Sequence, residues 1–557
     1  MSYARDRLKF NGWGWIGKTF DLGGREQELL AFLAESFGVD GFTPAPAVAW
    51  SEIDMPEPRV DAEAEAELHA LLGAERTRKD PYERVFHALG KSYHDLLRVR
   101  AGRLPDLPDL VVYPESEADI EGIFALATKH RWAIVPFGGG SSVVGGVEAK
   151  RSANQTAILC VDTTRMCKFL SLDENARLAT AEAGVYGPEL ERQLQERGYT
   201  LGHYPQSFEF STLGGWVAAR GSGQQSNRYG SAEKWTVGAR MVTPAGVLEQ
   251  KSFPHSSSGP DLKHMVLGSE GSFGIISQVT FRVHRLPEVR DYRAYLMPSF
   301  ERGADAIREA VQAGTKTAML RLSDEDETYF FGKFKSLGKE QGLSKRLMKM
   351  GLSATGLPDK PCVLMAGYEG SASEVRKARA SVRAFVRAQG GMPVGSGPGD
   401  SWYEGRFEMP YLRDPLMDQG VGVDTLETAT DWSNLNNLYD AVRTAIAASI
   451  APGEELRPLV MTHISHSYPD GASLYFTFTF PMQPGEELEQ WRRIKKAASD
   501  AIRDHGGTIS HHHGVGADHV AWMGPEKTEA GVALLRGAKA AVDPHGMLNP
   551  GKLLPEV

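Results

Sequence analysis

The sequence predicts an α+β fold made of more than one structural unit, and three observations support this. Between about Leu104 and Val283, short apolar strands alternate with amphipathic helices and glycine-rich loops. Past Pro287 the order changes to helix, strand, strand, helix. The chain of 557 residues is also too long for a single hydrophobic core.

Residues 1 to about 104 form a first segment with a helical pattern that several prolines interrupt. The run Asn11-Gly-Trp-Gly-Trp15 places two tryptophans near the start of this segment. We expect the run to dock against the body of the protein, whereas a frayed terminus is the alternative. The interrupting residues, whose rings break regular structure, are Pro44, Pro46, Pro56 and Pro58.

The next unit begins with a strand over residues 110–113 and a helix after it. Ser116 and Asp119 supply the capping pattern of a helix start. Apolar residues then recur at the spacing of one helical face, at Ile120, Ile123, Phe124 and Ala127. A second strand over residues 132–136 leads into Phe137-Gly-Gly-Gly-Ser-Ser142.

Three successive glycines, residues 138–140, predict a binding loop. Glycine has no Cβ and enters positive φ freely, so backbone N–H groups can converge on one point there. Such a concavity suits a diphosphate. The spacing is not Gly-x-Gly-x-x-Gly and no helix signal follows, so a nucleotide site would belong to a fold other than the Rossmann fold. A surface turn is the alternative.

Three further loops combine hydroxyl groups with glycines. They are residues 206–216, 219–223 and 268–274. Because one such loop means little and four supply many N–H and O–H donors, we interpret the set as the wrapping of a long polar cofactor with phosphates.

The second half of the chain predicts helices over residues 300–313, 373–389 and about 486–504, with strands between them. The acidic run Asp324-Glu-Asp-Glu327 is interpreted as a solvated turn. The alternation over residues 473–480 predicts a half-buried strand with Tyr475 on its polar face.

Composition excludes several classes of protein. A net charge of −9 argues against a surface that is basic throughout and binds nucleic acid. Three cysteines leave at least one unpaired, which favours buried thiols in a reducing compartment. No apolar run reaches about 18 residues, so no membrane-spanning helix is expected, and the start lacks the apolar region of a secretory signal.

Taken together, the loops resemble the vanillyl-alcohol oxidase superfamily, and within it the alkyldihydroxyacetonephosphate synthase family. The resemblance covers nearly the whole chain. The motifs that carry it are Phe10-Asn-Gly-Trp-Gly14, Gly202-His-x-Pro followed by Glu209-Phe-Ser-Thr-x-Gly-Gly-Trp216, Tyr468-x-x-Gly471 leading to Tyr475, Ser510-His-His-His-Gly-Val-Gly516, and Asp543-Pro-His-Gly-Met-Leu-Asn-Pro-Gly-Lys552.

This resemblance implies a two-subdomain FAD-binding domain with an α+β cap domain and noncovalently bound FAD. The implied boundaries are an N-terminal helical segment over 1–104, the FAD-binding domain over 105–287, the cap domain over 288–520, and a C-terminal segment over 521–557 that returns to the FAD domain. The implied cofactor-binding residues are Pro136, Phe137, Gly138, Gly139, Gly140, Ser141, Ser142, Gln206, Ser207, Phe208, Glu209, Phe210, Ser211, Thr212, Ala219, Arg220, Gly221, Ser222, Ser269, Glu270, Gly271, Ser272, Phe273, Gly274 and Ile275.

The resemblance also implies an activity of ether-lipid synthesis. A fatty alcohol would replace the acyl group of acyl-dihydroxyacetonephosphate through an adduct on flavin N5, without net redox change. Tyr475 would donate and accept the proton, Arg413 would bind the phosphate, and Arg321 would be a second essential cation. The histidines implied to assist the substrate and the alcohol are His511, His512 and His513.

Each of these roles has a structural alternative. Tyr475 would be a core tyrosine with a satisfied hydroxyl, Arg321 would pair with Asp324 or Glu325, and Arg413 would pair with Asp414. The three histidines would lie on a solvated loop, and if they lay on a strand, only the first and third would share a face.

The second hypothesis is an FAD-dependent D-2-hydroxy acid dehydrogenase, from a neighbouring branch of the superfamily. Those enzymes resemble this chain but hold a divalent metal with two histidines and a glutamate. Here Tyr475 stands in place of the second histidine and His512 in place of the glutamate. Loss of the hard carboxylate ligand weakens a metal site, so we expect no metal. His463, His466 and the three histidines leave a different site open.

A third hypothesis is a flavin-free carrier or scaffold. The four intact glycine loops argue against it. The expected partners are lipid-like small molecules and a second copy in a homodimer, with no nucleic acid. Peripheral contact with a membrane is expected from the lipid substrates. Animal relatives carry a peroxisomal address that is missing here, so the expected location is the cytoplasm.

Overall fold

The computed structural model describes residues 5–104, 106–337, 357–450, 452 and 456–555, and it confirms the α+β class. Three large sheets form the framework. The four-stranded sheet has the order Thr77–Arg78, Leu110–Val112, Ala157–Asp162, Trp132–Phe137. The five-stranded sheet has the order Phe169–Asp173, Leu178–Glu182, Ile275–Arg282, Thr236–Thr243, Gly246–Gln250.

The seven-stranded sheet is antiparallel throughout. Its order is Met392–Gly395, Val289–Met297, Cys362–Gly370, Met319–Ser323, Leu459–Ser467, Gly471–Pro481, Val421–Asp431. The strand Gly471–Pro481 therefore lies between two neighbours, and Val421–Asp431 forms the edge. The largest hydrophobic core packs this sheet against helices, with Phe476, Phe478 and Phe480 fully buried.

The helices agree closely with the sequence pattern. The helix Glu117–His130 begins at the Ser116 cap, whose side chain accepts from the Asp119 N–H, and it buries the four predicted apolar residues. Among the described residues, the helices of six residues or more are Glu26–Phe37, Ala62–Leu72, Pro81–Phe86, Tyr93–Arg100, Glu117–His130, Gly187–Gln195, Leu213–Ala218, Phe300–Gln312, Glu325–Phe334, Ala372–Ala388, Gly397–Gly405, Arg413–Asp418, Leu435–Ile450, Glu487–Asp504 and Met523–Val542. Within the described residues, no helix combines the length and the apolar content that a membrane crossing requires.

The interpretation of Asp324-Glu-Asp-Glu327 as a solvated turn is wrong. Asp324 caps the helix Glu325–Phe334, because its side chain accepts from the Glu327 N–H at 2.8 Å. Both carboxylates are buried, since Asp324 also accepts from the Thr462 N–H and pairs with Arg443. Partners on other strands and helices bring Asp324 and Glu327 into the interior, while Glu325 and Asp326 stay partly exposed.

The N-terminal run around Trp13 docks as predicted. Trp13 is buried, and its backbone N–H donates to Asp414 Oδ2 at 2.9 Å. Its ring packs edge-on against Phe210, with 5.6 Å between the ring centroids. Arg5 reaches further, because it pairs with Asp162 at 2.5 Å and donates to the Gly138 carbonyl at 3.1 Å. The first segment therefore contacts two of the predicted cofactor loops.

Candidate active site

The four glycine loops converge in space. A Cβ on Gly139 would lie 1.8 Å from the Phe210 carbonyl oxygen, and one on Gly138 would lie 2.4 Å from Thr212 Oγ1. The third and fourth loops also meet, since a Cβ on Gly268 would lie 3.7 Å from Arg220 Cβ, and the Glu270 N–H donates to the carbonyl of Ala218, the residue before the third loop, at 3.0 Å. Glycine is required at position 139 because the two loop backbones approach too closely there for any side chain, whereas at position 138 the Thr212 side chain fills the space.

Polar groups left open in these loops fit a phosphate-bearing cofactor. The hydroxyls of Ser269 and Ser272 are buried and have no hydrogen-bond partner among the described residues. In the first loop, the backbone N–H groups of Gly139, Gly140 and Ser141 also donate to no acceptor among the described residues. Buried donors are normally paired, so this set matches the needs of a diphosphate.

The loop around Glu270 is held by segments from the C-terminal part of the chain. The Glu270 carboxylate accepts from the N–H groups of Val515 and Gly516 at 2.7 and 2.6 Å. Asn549 Nδ2 donates to the carbonyls of Gly146 and Glu270 at 3.1 and 2.6 Å. Burial raises the pKa of Glu270 to about 7, against the effect of its two backbone hydrogen bonds.

Two predicted cofactor residues turn their side chains toward the surface. Arg220 is exposed and pairs with Glu233 at 2.6 Å, and Gln206 donates to the Arg406 carbonyl. At these two positions it is the backbone, and not the side chain, that belongs to the loop cluster.

Tyr475 lies in the middle strand of three. The strand Gly471–Pro481 places it opposite Glu427 on one side and opposite His463 on the other. The half-buried Tyr475 hydroxyl donates to Thr425 Oγ1 at 3.1 Å, and its ring stacks on His463 at 4.9 Å. Burial raises the pKa of Tyr475 to about 12, so the phenol is protonated at neutral pH.

The three histidines do not lie on a strand, and their loop is not simply solvated. Residues 511–513 form a bend in which all three backbone N–H groups point at one carboxylate. Glu427 accepts from the N–H groups of His511, His512 and His513 at 2.6, 3.1 and 2.9 Å. It also accepts from Ser510 Oγ at 2.8 Å. The buried carboxylate thus brings three imidazole rings side by side.

These rings face Tyr475. The centroid of the His513 ring lies 5.6 Å from that of Tyr475, and that of His512 lies 6.1 Å away. Burial lowers the pKa of His511 to about 4 and that of His513 to about 3, although Glu427 opposes both shifts. Both imidazoles are therefore neutral at pH 7.

Arg321 pairs with neither of the carboxylates named as its alternative partners. Its Nη2 donates to Glu327 Oε1 at 2.9 Å, and its guanidinium lies 2.8 and 3.0 Å from the two His463 ring nitrogens. Since His463 stacks on Tyr475, one ring separates Arg321 from the tyrosine.

Arg413 does not pair with Asp414. The Asp414 carboxylate accepts from Lys9 and from the Trp13 N–H instead. Arg413 Nη2 donates to the Lys91 carbonyl at 2.8 Å, and its buried Nε has no hydrogen-bond partner among the described residues. A guanidinium with unused donors suits a bidentate oxyanion.

One trio of imidazoles has the proximity of a metal site. Side-chain nitrogens of His466, His511 and His512 lie within 4.8 Å of one another. His466 already uses both nitrogens, since Nε2 lies 3.0 Å from the Gly223 carbonyl and Nδ1 lies 3.0 Å from Ser465 Oγ. With these contacts and no carboxylate ligand in the trio, we keep the prediction of no metal.

Comparison with known proteins identifies the family. The family described as FAD binding domain matches residues 108–250, and FAD linked oxidases, C-terminal domain, matches residues 286–553. An alkyldihydroxyacetonephosphate synthase from Dictyostelium discoideum is 36% identical over 98% of this chain and 87% of its own length. The chain belongs to the alkyldihydroxyacetonephosphate synthase family.

A solved structure of alkyldihydroxyacetonephosphate synthase supports this family membership with a TM-score of 0.82 and 31% identity, covering 99% of this chain and 98% of that one. 4-Ethylphenol oxidase from Gulosibacter chungangensis shares the fold alone, with a TM-score of 0.67 and 16% identity over 90% of this chain and 99% of its own. The predicted two-subdomain FAD fold with a cap is thus confirmed. As a member of the synthase family, this protein is an enzyme with FAD as cofactor.

Sequence reasoning missed three residues that organise the site of this synthase family member. They are Arg5, which contacts the glycine loop, and the two carboxylates Glu327 and Glu427. Glu427 lies in a strand with an alternating pattern, and a carboxylate buried in such a strand requires a hydrogen-bond or charged partner. Its partner cannot be read from spacing alone, because the histidine loop lies 84 residues further along the chain.

Proposed function

We propose that this protein exchanges the acyl group of acyl-dihydroxyacetonephosphate for a fatty alcohol, which forms an ether-lipid precursor. In this reaction the bond between the ketone carbon chain and the acyl oxygen breaks, and a bond to the alcohol oxygen forms. The acid leaves as a carboxylate, and the alcohol loses its proton. The observation that carries the proposal is the protonated Tyr475 phenol, flanked by His463, His512 and His513.

The residues of this chain have separate tasks in the proposed reaction. Tyr475 moves the proton at the carbon next to the carbonyl, a task for a phenol held near neutral imidazoles. Arg413 binds the substrate phosphate through its free donors. His512 and His513 accept the proton of the alcohol, since their loop faces the same ring.

FAD would be held without a covalent bond by the four converging loops. Backbone N–H groups of residues 139–141 and the hydroxyls of Ser269 and Ser272 would bind its diphosphate. Bound FAD supplies an electron-accepting ring system next to the substrate. Homodimer formation, contact with a membrane and the cytoplasmic location stay predictions, as do the domain boundaries at residues 104, 287 and 520.

The second candidate is oxidation of a D-2-hydroxy acid. The trio His466, His511 and His512 is the observation that favours it, because imidazoles bind divalent metals. The hydrogen bonds of His466 and the position of Tyr475 favour the transferase instead.

One experiment separates the two functions. The flavin-loaded protein is assayed with acyl-dihydroxyacetonephosphate and hexadecanol, and in parallel with D-2-hydroxy acids and an artificial electron acceptor. Formation of an alkyl product without reduction of the acceptor is expected. Acceptor reduction by a hydroxy acid, with no alkyl product, would replace the proposed function with the dehydrogenase.

A further inference from the structure

Tyr468 belongs to a motif that the proposed reaction does not use. It lies in the turn between the strands Leu459–Ser467 and Gly471–Pro481, where its N–H donates to the Gly471 carbonyl at 2.7 Å. With 37% of its surface exposed, Tyr468 reaches solvent from the same hairpin that carries Tyr475.

A continuous line of hydrogen bonds runs from Tyr468 into the site. The Tyr468 hydroxyl lies 2.6 Å from His511 Nε2. On the other side of that ring, His511 Nδ1 lies 2.9 Å from His512 Nδ1. His512 Nε2 has no hydrogen-bond partner among the described residues, and the His512 ring stacks near Tyr475. The line therefore connects solvent to a free imidazole nitrogen at the reacting end.

The proposed reaction creates a need for such a path. The ester bond breaks to release a carboxylate, which carries no proton at neutral pH, while the alcohol gives up its proton when the ether bond forms. One proton is thus left in a site lined by half-buried and buried side chains in every turnover. It must reach bulk water before the next alcohol can react.

We propose that His512, His511 and Tyr468 form a proton relay that carries the proton of the alcohol from the active site to solvent. This inference rests on the proposed function. His512 Nε2 takes the proton, and His512 passes its Nδ1 proton to His511 Nδ1. His511 passes its Nε2 proton to the Tyr468 oxygen, while the phenol releases its own proton to water. Each group gains one proton and loses one, and rotation of the hydroxyl and exchange of the imidazole tautomers reset the line.

The surroundings keep His511 and Tyr468 neutral between transfers. Glu427 lies below the loop but already accepts from Ser510 Oγ and three N–H groups, and the neighbouring histidines hold its pKa well below the usual range although burial opposes this. His466, whose pKa burial also lowers, packs 5.0 Å from His511. Burial raises the pKa of the Tyr468 phenol, with Glu427, Glu233 and Asp470 adding to the shift, so it acts as a neutral hydroxyl.

The variant Tyr468→Phe tests the relay, because it removes one hydroxyl and keeps the ring. The alkyl-exchange assay is run on FAD-loaded protein in dilute buffer. We expect kcat to fall about 10-fold with KM unchanged for both substrates. Imidazole buffer at rising concentration should restore kcat in the variant, since a small base can carry the proton in place of the phenol. The matched control is Tyr329→Phe, an exposed tyrosine whose ring lies near Phe32 and Lys360.

The outcomes separate the relay from the function on which it rests. Unchanged kcat in Tyr468→Phe, or a loss that imidazole does not restore, overturns the relay and leaves the exchange reaction intact. Absence of alkyl product from the wild-type protein overturns the exchange reaction and the relay together. A normal solvent isotope effect in the control, with an enlarged effect in Tyr468→Phe, supports the relay further.

Discussion

Tyr475 and Glu427 lie directly opposite each other on neighbouring antiparallel strands of the seven-stranded sheet. Tyr475 presents its phenol to the candidate site, while Glu427 holds the loop that carries the three histidines. One strand pair thus fixes both the phenol and the imidazoles. The distance between them is set by a sheet register, which is far stiffer than a loop.

Tyr475→Phe should abolish alkyl exchange while leaving FAD bound. The substitution removes the proton-transferring hydroxyl and its bond to Thr425, with little change in packing. We expect a loss of about 100-fold or more in kcat, with an unchanged flavin absorbance spectrum. Thr477→Val, on the same face of the same strand, is the control. Full turnover in Tyr475→Phe would remove this residue from the mechanism.

Arg413→Gln should weaken binding of the phosphorylated ketone by about 10- to 100-fold, since a charge-assisted bond contributes about 1.5–3 kcal/mol. Affinity for hexadecanol should stay the same, because the alcohol carries no phosphate. Both affinities can be followed through the flavin spectrum. Equal losses for the two ligands would contradict a phosphate-binding role for Arg413.

Glu427→Gln should disorder the histidine loop. The amide can accept fewer of the four donors and brings N–H groups of its own toward them, so we expect a loss of about 3 kcal/mol in the free energy of unfolding. Alkyl exchange should fall with it. Urea unfolding and turnover are the measurements. Asp440→Asn, an exposed residue of the helix Leu435–Ile450, is the control and should stay within about 0.5 kcal/mol. Equal stability in both variants would refute the anchoring role of Glu427.

Gly139→Ala should prevent the first two cofactor loops from closing. A methyl group there would lie 1.8 Å from the Phe210 carbonyl, a contact that only backbone movement can relieve. We expect colourless protein with a loss of about 3 kcal/mol in the free energy of unfolding. Gly537→Ala, where a Cβ meets nothing within 4 Å, should stay yellow. Flavin retention in Gly139→Ala would argue against this loop as the cofactor cradle.

Glu270 should make stability depend on pH. Its pKa is raised to about 7 in the folded protein, so the folded state binds the proton more tightly than the unfolded chain does. Stability from this group is therefore full below the unfolded pKa near 4.5 and is lost as the pH rises through about 7. Relative to wild type, Glu270→Gln should gain up to about 3 kcal/mol between pH 4.5 and pH 8. Urea unfolding across that range measures it, and a constant difference would contradict the raised pKa.

Local patterns predicted most of the secondary structure. The helix Glu117–His130 and the strand Gly471–Pro481 were readable because their apolar periodicity and caps lie within a few residues of each other. The convergence of the four glycine loops was also predictable from their shared chemistry. The histidine bend was not, since its shape depends on a carboxylate far away in the sequence.

The burial of the acidic run could not be predicted from the local sequence either. A cluster such as Asp324 to Glu327 is usually solvated, and nothing near it in the sequence indicates otherwise. The burial of Asp324 follows from Arg443 and Thr462, which lie 119 and 138 residues further along the chain. Residue roles that depend on long-range ion pairs could therefore not be predicted from the sequence.

Asn549 has a consequence for the order of assembly. Its side chain ties the Gly146 and Glu270 carbonyls together, and its N–H donates to the Ile134 carbonyl at 2.8 Å. A nascent chain that has been synthesised only to the end of the cap domain does not yet contain Asn549 and therefore lacks these hydrogen bonds. These three hydrogen bonds can form only after residue 549 has been synthesised, so the loop cluster reaches the arrangement described above late in synthesis.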